Sequence, residues 1–327
     1  MTILFIYRNP KMGFSIGKVF KSIEEEMRKY GEVESIELPC ANYSPSSMWK
    51  NIKAARRAVK AKHYDVVHVT GTEHYLLPFL RNEKTVMTVH DLGFFTNRKF
   101  GLRAIKKYFL WIRTLPMATY VTFISEKSER EALNLVNLKD GRHSTVLNPV
   151  GSEFTPHPKN INTDCPIILH VGTKENKNLE STVIALKGFL CKLRIIGELS
   201  DGQKTALSHY GIDYEAVQNL TDEEILQEYI NCDYVNFPSL YEGFGMPIIE
   251  GQSIGRPVLT SNIEPMLSVA NGAAMIVDPT KPEDIRRGYE EMAVNVNELT
   301  NMGFKNVKRF ALDKITKQFF EIYKSIQ

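Results

Sequence analysis

The sequence predicts an α/β protein made of two doubly wound, parallel-sheet, Rossmann-like domains that face each other across a cleft. Three observations predict it. Short apolar, β-branched runs alternate with amphipathic helical stretches along the chain. The alternation pauses at "STVLNPVGSEFTPHPKN", Ser144 to Asn160, whose prolines and glycine mark a linker, and then restarts. Charge divides at the same place. Residues 1–150 hold 24 Lys and Arg against 14 Asp and Glu, while residues 151–327 hold 17 against 24. A basic body joined to an acidic one implies two units with different partners. The expected boundaries are 1–155 and 156–308, with a terminal helix over about 309–327 crossing back onto the first domain.

In the first half, "TILFIY" is a buried strand. "SIGKVFKSIEEEMRKYG" places Ile16, Val19, Phe20, Ile23 and Met27 at helical spacing, with Gly31 as its end. "VESIELP" alternates as a strand does, and "MWKNIKAARRAVKAKHY" is a basic amphipathic helix. "DVVHVTG", "KTVMTVHD" and "ATYVTFIS" are further strands. In the second half, "PIILHVG", "KLRIIGEL", "DYVNFPS", "PVLTS" and "AAMIVDP" read as strands. "NLESTVIALKGF", "TDEEILQEYINC", "PEDIRRGYEEMAV" and "DKITKQFFEIYKSI" read as helices. Thr221 and Glu224 form a capping box at the start of the second of these. Ligands of such sheets bind at the carboxyl ends of the strands.

Composition excludes several classes. With 43% hydrophobic and 24% charged residues, this is an ordinary globular chain. Cys40, Cys165, Cys191 and Cys232 are scattered, form no CxxC pair and have no His at ligand spacing, so free thiols in a reducing, cytoplasmic compartment are expected. "MTILFIY" is too short for a signal sequence, and Arg113 and Pro116 interrupt the most apolar long stretch. GxGxxG, the P-loop, Asp-x-Asp and GxSxG are all missing, as are nucleic-acid signatures. No metal site and no cofactor are expected.

The chemistry concentrates in "DYVNFPSLYEGFGMPIIEGQSIG", read as strand, loop and helix. Pro247 suits a first helical turn and Gly255 a helix end. Gly243 and Gly245 permit close backbone approach to a ligand. Backbone N–H groups and the helix dipole there make an anion site that fits a diphosphate. Glu242 and Glu250 would repel phosphate directly, so they are expected to accept hydrogen bonds from vicinal hydroxyls. Phosphate through backbone and hydroxyls through carboxylates describes a sugar nucleotide.

This stretch, continued as "FPSLYEGFGMPIIEGQSIGRPVLTSN", resembles the Glu-x7-Glu signature of retaining glycosyltransferase family 4, of the GT-B fold. "ILHVGTKENKNL", "LTDEEILQEYINCDYVNFPS" and "AAMIVDPTKPEDI" are similar to neighbouring family segments, and "TVHDLGFF" and "TFISEKSEREAL" match the first domain more loosely. The resemblance implies transfer of a sugar from a nucleoside-diphosphate sugar to a glycan or lipid-linked acceptor. It implies retention of anomeric configuration with no metal and no protein nucleophile. Glu250 would hold the ribose hydroxyls, and Glu242 would lie near the donor sugar. Gly243, Phe244, Gly245 and Met246 would offer backbone N–H groups. Lys177, with Lys174 as the other candidate and Thr173 beside it, would face the diphosphate. His90 would face the donor sugar from the first domain, and Gly13 would lie in the loop nearest the diphosphate. A nucleotide-sugar epimerase of the same fold, or an inactive nucleotide-sugar-binding subunit, is the alternative. "NRKFGLRAIKKYFLWIRTL" either packs as an amphipathic helix or lies on an anionic membrane, which would make the protein peripheral on the inner face.

Overall fold

A computed structural model describes residues 1–13, 15–92 and 107–327. The basic stretch from Asn97 to Leu115 and the end of "TVHDLGFF" therefore lie partly or wholly outside the described residues. The chain divides into two compact units, Met1–Pro149 with Ala311–Gln327, and Val150–Phe310.

The first unit holds β1 (Thr2–Tyr7), α1 (Ser15–Met27), β2 (Glu32–Glu37), α2 (Pro45–Ala61), β3 (Val66–Val69), β4 (Thr85–Val89), β5 (Tyr120–Phe123), α3 (Glu126–Leu133) and β6 (His143–Thr145). Its strands are parallel in the order β2-β1-β3-β4-β5-β6. The period-two alternation of β1 feeds two layers. Ile3, Phe5 and Tyr7 pack with Phe20, Ile23 and Met27 of α1, while Leu4 and Ile6 pack with Met48, Ile52 and Ala55 of α2.

The second unit holds β7 (Ile167–Val171), α4 (Leu179–Ala185), β8 (Lys192–Ile196), α5 (Asp201–His209), β9 (Tyr214–Val217), α6 (Asp222–Asn231) and β10 (Tyr234–Phe237). It continues with α7 (Met246–Ile254), β11 (Val258–Ser261), α8 (Met266–Ala270), β12 (Met275–Val277), α9 (Pro282–Val294) and α10 (Val296–Asn306). Its sheet is again parallel, in the order β12-β11-β10-β7-β8-β9.

Each order has one place where the chain reverses direction across the sheet, and such a switch point opens a crevice at the strand ends. In the first unit it lies between β1 and β3, and in the second between β7 and β10. These two places position everything that follows.

The last helix, α11 (Leu312–Ser325), belongs to the first unit. Ile315, Phe319 and Tyr323 recur one helical turn apart and join the layer of Ile3, Phe5 and Phe20. The Tyr323 hydroxyl lies 2.5 Å from Nδ1 of buried His68, whose Nε2 lies 2.8 Å from Thr88 Oγ1.

Some elements differ from the sequence reading. Helix α1 ends at Met27, not at Gly31. Gly31 passes tightly under the first strand, where a Cβ would lie 2.4 Å from the Met1 carbonyl oxygen. The start of the expected linker forms edge strand β6. Strand β9 and helices α5, α8 and α10 are additions, short or weakly patterned in sequence.

Candidate active site

In the second unit the loops after β7 and β10 meet at the switch point. The first loop starts at Gly172, with φ +92°, a conformation that suits glycine. The Lys177 stem lies along it: a Cβ on Gly172 would sit 3.0–3.4 Å from Cγ, Cε and Cδ of Lys177. The ammonium stands 4.7 Å from the centre of the Phe237 ring. It reaches Glu242 Oε1 at 2.6 Å, where Asn176 Nδ2 also donates at 3.2 Å. Lys177 and Glu242 keep only 20% and 15% of their side-chain surface exposed, so this ion pair is shielded from water.

Asparagines stitch the two loops together. Asn176 Nδ2 donates to the Tyr241 carbonyl at 2.9 Å, and Leu240 N donates to the Asn176 carbonyl at 2.8 Å. Asn178, buried at φ +62°, donates to the carbonyls of Pro238 (3.1 Å) and Pro279 (2.7 Å). Neither asparagine was among the expected site residues. The available signal was the pair of asparagines around Lys177 in "ENKNL", since asparagine tolerates the left-handed region. Below them His170 is buried beside Asn236, Nδ1 to Nδ2 2.8 Å. Burial, reinforced by the Lys177 charge, pushes its pKa down to about 3.

Gly245, with φ +117°, immediately precedes helix α7, whose first residues are Met246 and Pro247. No side chain caps its first turn, so backbone N–H groups there are not consumed by a capping residue. Phe244 is buried and stands edge-on to Phe310 with ring centres 5.9 Å apart, leaving only its backbone for a ligand. Glu250 Oε2 accepts from the Tyr229 hydroxyl of α6 at 2.6 Å, which orients the carboxylate. Tyr229 is itself buried against Phe154. Buried Arg256 anchors both helices, donating to the carbonyls of Ile230 at the end of α6 and Ile254 at the end of α7 (2.7 and 3.3 Å).

Thr173 and Lys174 stand apart from this cluster. The Thr173 hydroxyl donates to the Glu198 carbonyl at 2.6 Å, tying the loop to the end of β8. Lys174 is exposed at the start of the turn carrying Lys177.

In the first unit His90 follows β4 and is 6% exposed. Its Nε2 donates to the Thr70 carbonyl at 2.7 Å. Burial pushes its pKa down to about 4, so the ring is neutral and Nδ1 is an acceptor at neutral pH. Gly13, at φ +116°, lies in the loop after β1, and its carbonyl accepts from Arg8 Nη2 at 2.9 Å.

Residues 152–308 match the family Glycosyl transferases group 1, and residues 20–154 match Glycosyltransferase Family 4. The chain is a GT-B glycosyltransferase of this group 1 and family 4 type. Over 286 residues this glycosyltransferase is 25% identical to O-antigen chain mannosyltransferase B of Escherichia coli, covering 77% of the chain and 72% of the relative. Its fold is similar to sucrose-phosphate synthase from Thermosynechococcus elongatus, with TM-score 0.80, 16% identity and coverage of 100% and 99% of the two chains. It is also similar to Anabaena Alr3699/HepE in complex with UDP and glucose, with TM-score 0.75, 13% identity and coverage of 99% and 100%. Among the described residues no helix is long and apolar enough to cross a membrane.

Proposed function

We propose that this glycosyltransferase moves a hexose, mannose by analogy with the E. coli relative, from a nucleoside-diphosphate sugar onto a saccharide or lipid-linked acceptor of a surface polysaccharide. The observation that carries the reading is the Lys177–Glu242 pair, 2.6 Å apart, at the switch point where helix α7 begins. A fixed cation beside a helix N-terminus suits a leaving diphosphate, whose charge grows as the glycosidic bond breaks. Lys177, rather than exposed Lys174, is the phosphate residue in this reading. Backbone N–H groups from Gly243 to Met246 line the same turn, with Thr173 holding the opposite loop in place. Glu250, oriented by Tyr229, reads the ribose hydroxyls. Within the first unit, Nδ1 of neutral His90 would accept a hydrogen bond from a sugar hydroxyl, and Gly13 lies in the loop after β1.

Retention of configuration without a protein nucleophile belongs to the proposal. Glu242 supports it: a carboxylate oxygen held by an ammonium and an amide is a weakened nucleophile, and the cluster is built for positioning and electrostatics. Metal independence is proposed on the same ground, since Lys177 supplies positive charge where a metal would otherwise be needed.

Peripheral contact with an anionic membrane at the cytoplasmic face is also proposed, through α2. That helix carries Lys50, Lys53, Arg56, Arg57 and Lys60, all exposed, and no acidic residue. Trp49 and Phe79 stand beside them, 48% and 41% exposed, with ring centres 6.2 Å apart.

The test is transfer itself. Protein is incubated with GDP- and UDP-hexoses and octyl glycosides in the presence of a chelator, and the product anomer is read by NMR. An α-mannoside from GDP-α-mannose in chelator is expected. An inverted product removes the retaining mechanism, and transfer only on metal addition removes metal independence.

A further inference from the structure

Asn176 meets three consecutive residues of the loop after β10. Its carbonyl accepts from Leu240 N at 2.8 Å. Its Nδ2 donates to the Tyr241 carbonyl at 2.9 Å and to Glu242 Oε1 at 3.2 Å. An amide nitrogen carries two protons, so one goes to the backbone and the other to the carboxylate. The bond to Tyr241 fixes the amide and thereby aims the second proton. Asn176, Lys177 and Glu242 are each only half-buried, so all three keep contact with solvent and are within a ligand's reach.

Closing the two loops does not require this side chain. The backbone bond from Leu240 to Asn176 already joins them, and so do the bonds from Asn178 to the Pro238 and Pro279 carbonyls. What the Asn176 amide adds is a neutral donor on the same oxygen, Glu242 Oε1, that takes the Lys177 ammonium at 2.6 Å. One carboxylate oxygen accepts two such bonds through its two lone pairs. A phosphate that draws the ammonium aside weakens one of them and brings negative charge towards the carboxylate. A shielded carboxylate that loses a donor is destabilised by more than the bond itself was worth. The lysine does not depend on Glu242 alone, since the Phe237 ring lies 4.7 Å from the ammonium.

We infer that Asn176 is a positioning residue: it keeps Glu242 in place while Lys177 turns to the donor diphosphate. The inference rests on the diphosphate reading of Lys177. The Tyr241 carbonyl holds the amide, and the amide holds Oε1, so the ammonium shares its charge with the phosphate without releasing the carboxylate. Being uncharged, Asn176 does this without competing with Lys177 for the phosphate. Removing the amide makes Glu242 rely more on Lys177, and the lysine is then harder to move.

The experiment measures GDP and UDP affinity by calorimetry in wild type, Asn176→Ala, Glu242→Gln and the double variant Asn176→Ala/Glu242→Gln. Asn176→Ala is expected to weaken the nucleoside diphosphate about 3- to 10-fold, the range of one ordinary hydrogen bond. In the Glu242→Gln background there is no charge left to hold, and Asn176→Ala is expected to change affinity by less than about twofold. A role confined to tying the loops together would weaken both backgrounds alike. A second measurement needs no variant. In wild type labelled with ¹⁵N-asparagine, the Asn176 side-chain amide proton on Glu242 is expected to move downfield on saturation with the nucleoside diphosphate, as its bond tightens. Unchanged affinity in Asn176→Ala, an equal loss in both backgrounds, or an amide proton that stays in place or moves upfield overturns the inference. Wild type that binds neither GDP nor UDP overturns the diphosphate reading, and the role of Asn176 with it.

Discussion

Replacing Lys177 by Met decides which lysine serves the diphosphate. In the structure the ammonium sits 2.6 Å from Glu242 Oε1, and both side chains are mostly covered. A unit charge about 4 Å from a phosphate oxygen, at an effective dielectric near 20, interacts by roughly 4 kcal/mol before desolvation. After that cost a charge-assisted bond is worth about 1.5–3 kcal/mol, or about 10- to 100-fold in affinity. Lys177→Met is therefore expected to weaken GDP or UDP by that factor and to leave the matching nucleoside unchanged. Lys174→Met, at an exposed position, is expected to change either by about twofold or less, because water and salt screen it. Isothermal titration calorimetry on both variants checks this. A second effect must be separated, since Lys177→Met also strips Glu242 of its cation and leaves a carboxylate facing the ligand. The double variant Lys177→Met/Glu242→Gln removes that repulsion. If Lys177 contacts phosphate, the double variant stays weak; if the loss was only repulsion, affinity returns. Equal loss of nucleoside and nucleoside diphosphate in Lys177→Met, or a larger loss in Lys174→Met, refutes the assignment.

Three further outcomes follow from the same geometry. Glu250→Ala is expected to lose both stability and nucleotide response, because buried Tyr229 is left without its 2.6 Å acceptor, at about 1–3 kcal/mol. Glu250→Gln keeps an acceptor for Tyr229, so a lost nucleotide-induced thermal shift at near-normal Tm identifies ribose reading; an intact shift removes it. Acid is expected to destabilise the fold below pH 6.5, because His68 and His170 are pushed down to about 3 and His74 and His90 to about 4 by burial. The unfolded chain then binds protons that the folded chain refuses, so stability falls with pH from the unfolded value to the folded one. From pH 7.5 to 5.5 the three histidines of the first unit remove about 4 kcal/mol, of which Glu73, whose carboxyl burial raises to about 7, returns about 2, and His170 removes about 1 from the second unit. Urea titrations at the two pH values giving equal stabilities count against the buried neutral histidines. Finally, the protein should co-sediment with vesicles containing phosphatidylglycerol but not phosphatidylcholine alone, and Lys53→Glu/Arg57→Glu should abolish this; binding indifferent to salt and to these substitutions speaks against the α2 contact.

The repeating strand-and-helix pattern determined that two parallel sheets form, because burial on both faces forces continuous apolar runs separated by amphipathic helices. The capping box at Thr221 and Glu224 and the limits of α7 at Pro247 and Gly255 were equally legible, since caps depend on backbone geometry within one turn. Strand β9 was not, because Tyr214–Val217 lies at the sheet edge with half its residues exposed and carries little apolar signal. Glu242 and Glu250 could be picked out from their glycine-rich surroundings. Their separate fates could not: Glu242 pairs with a lysine 65 positions away and Glu250 with a tyrosine 21 positions back. Sequence periodicity reports which faces are buried; which polar atoms meet depends on strand order, and only the tertiary structure placed Asn176 against Leu240, Tyr241 and Glu242.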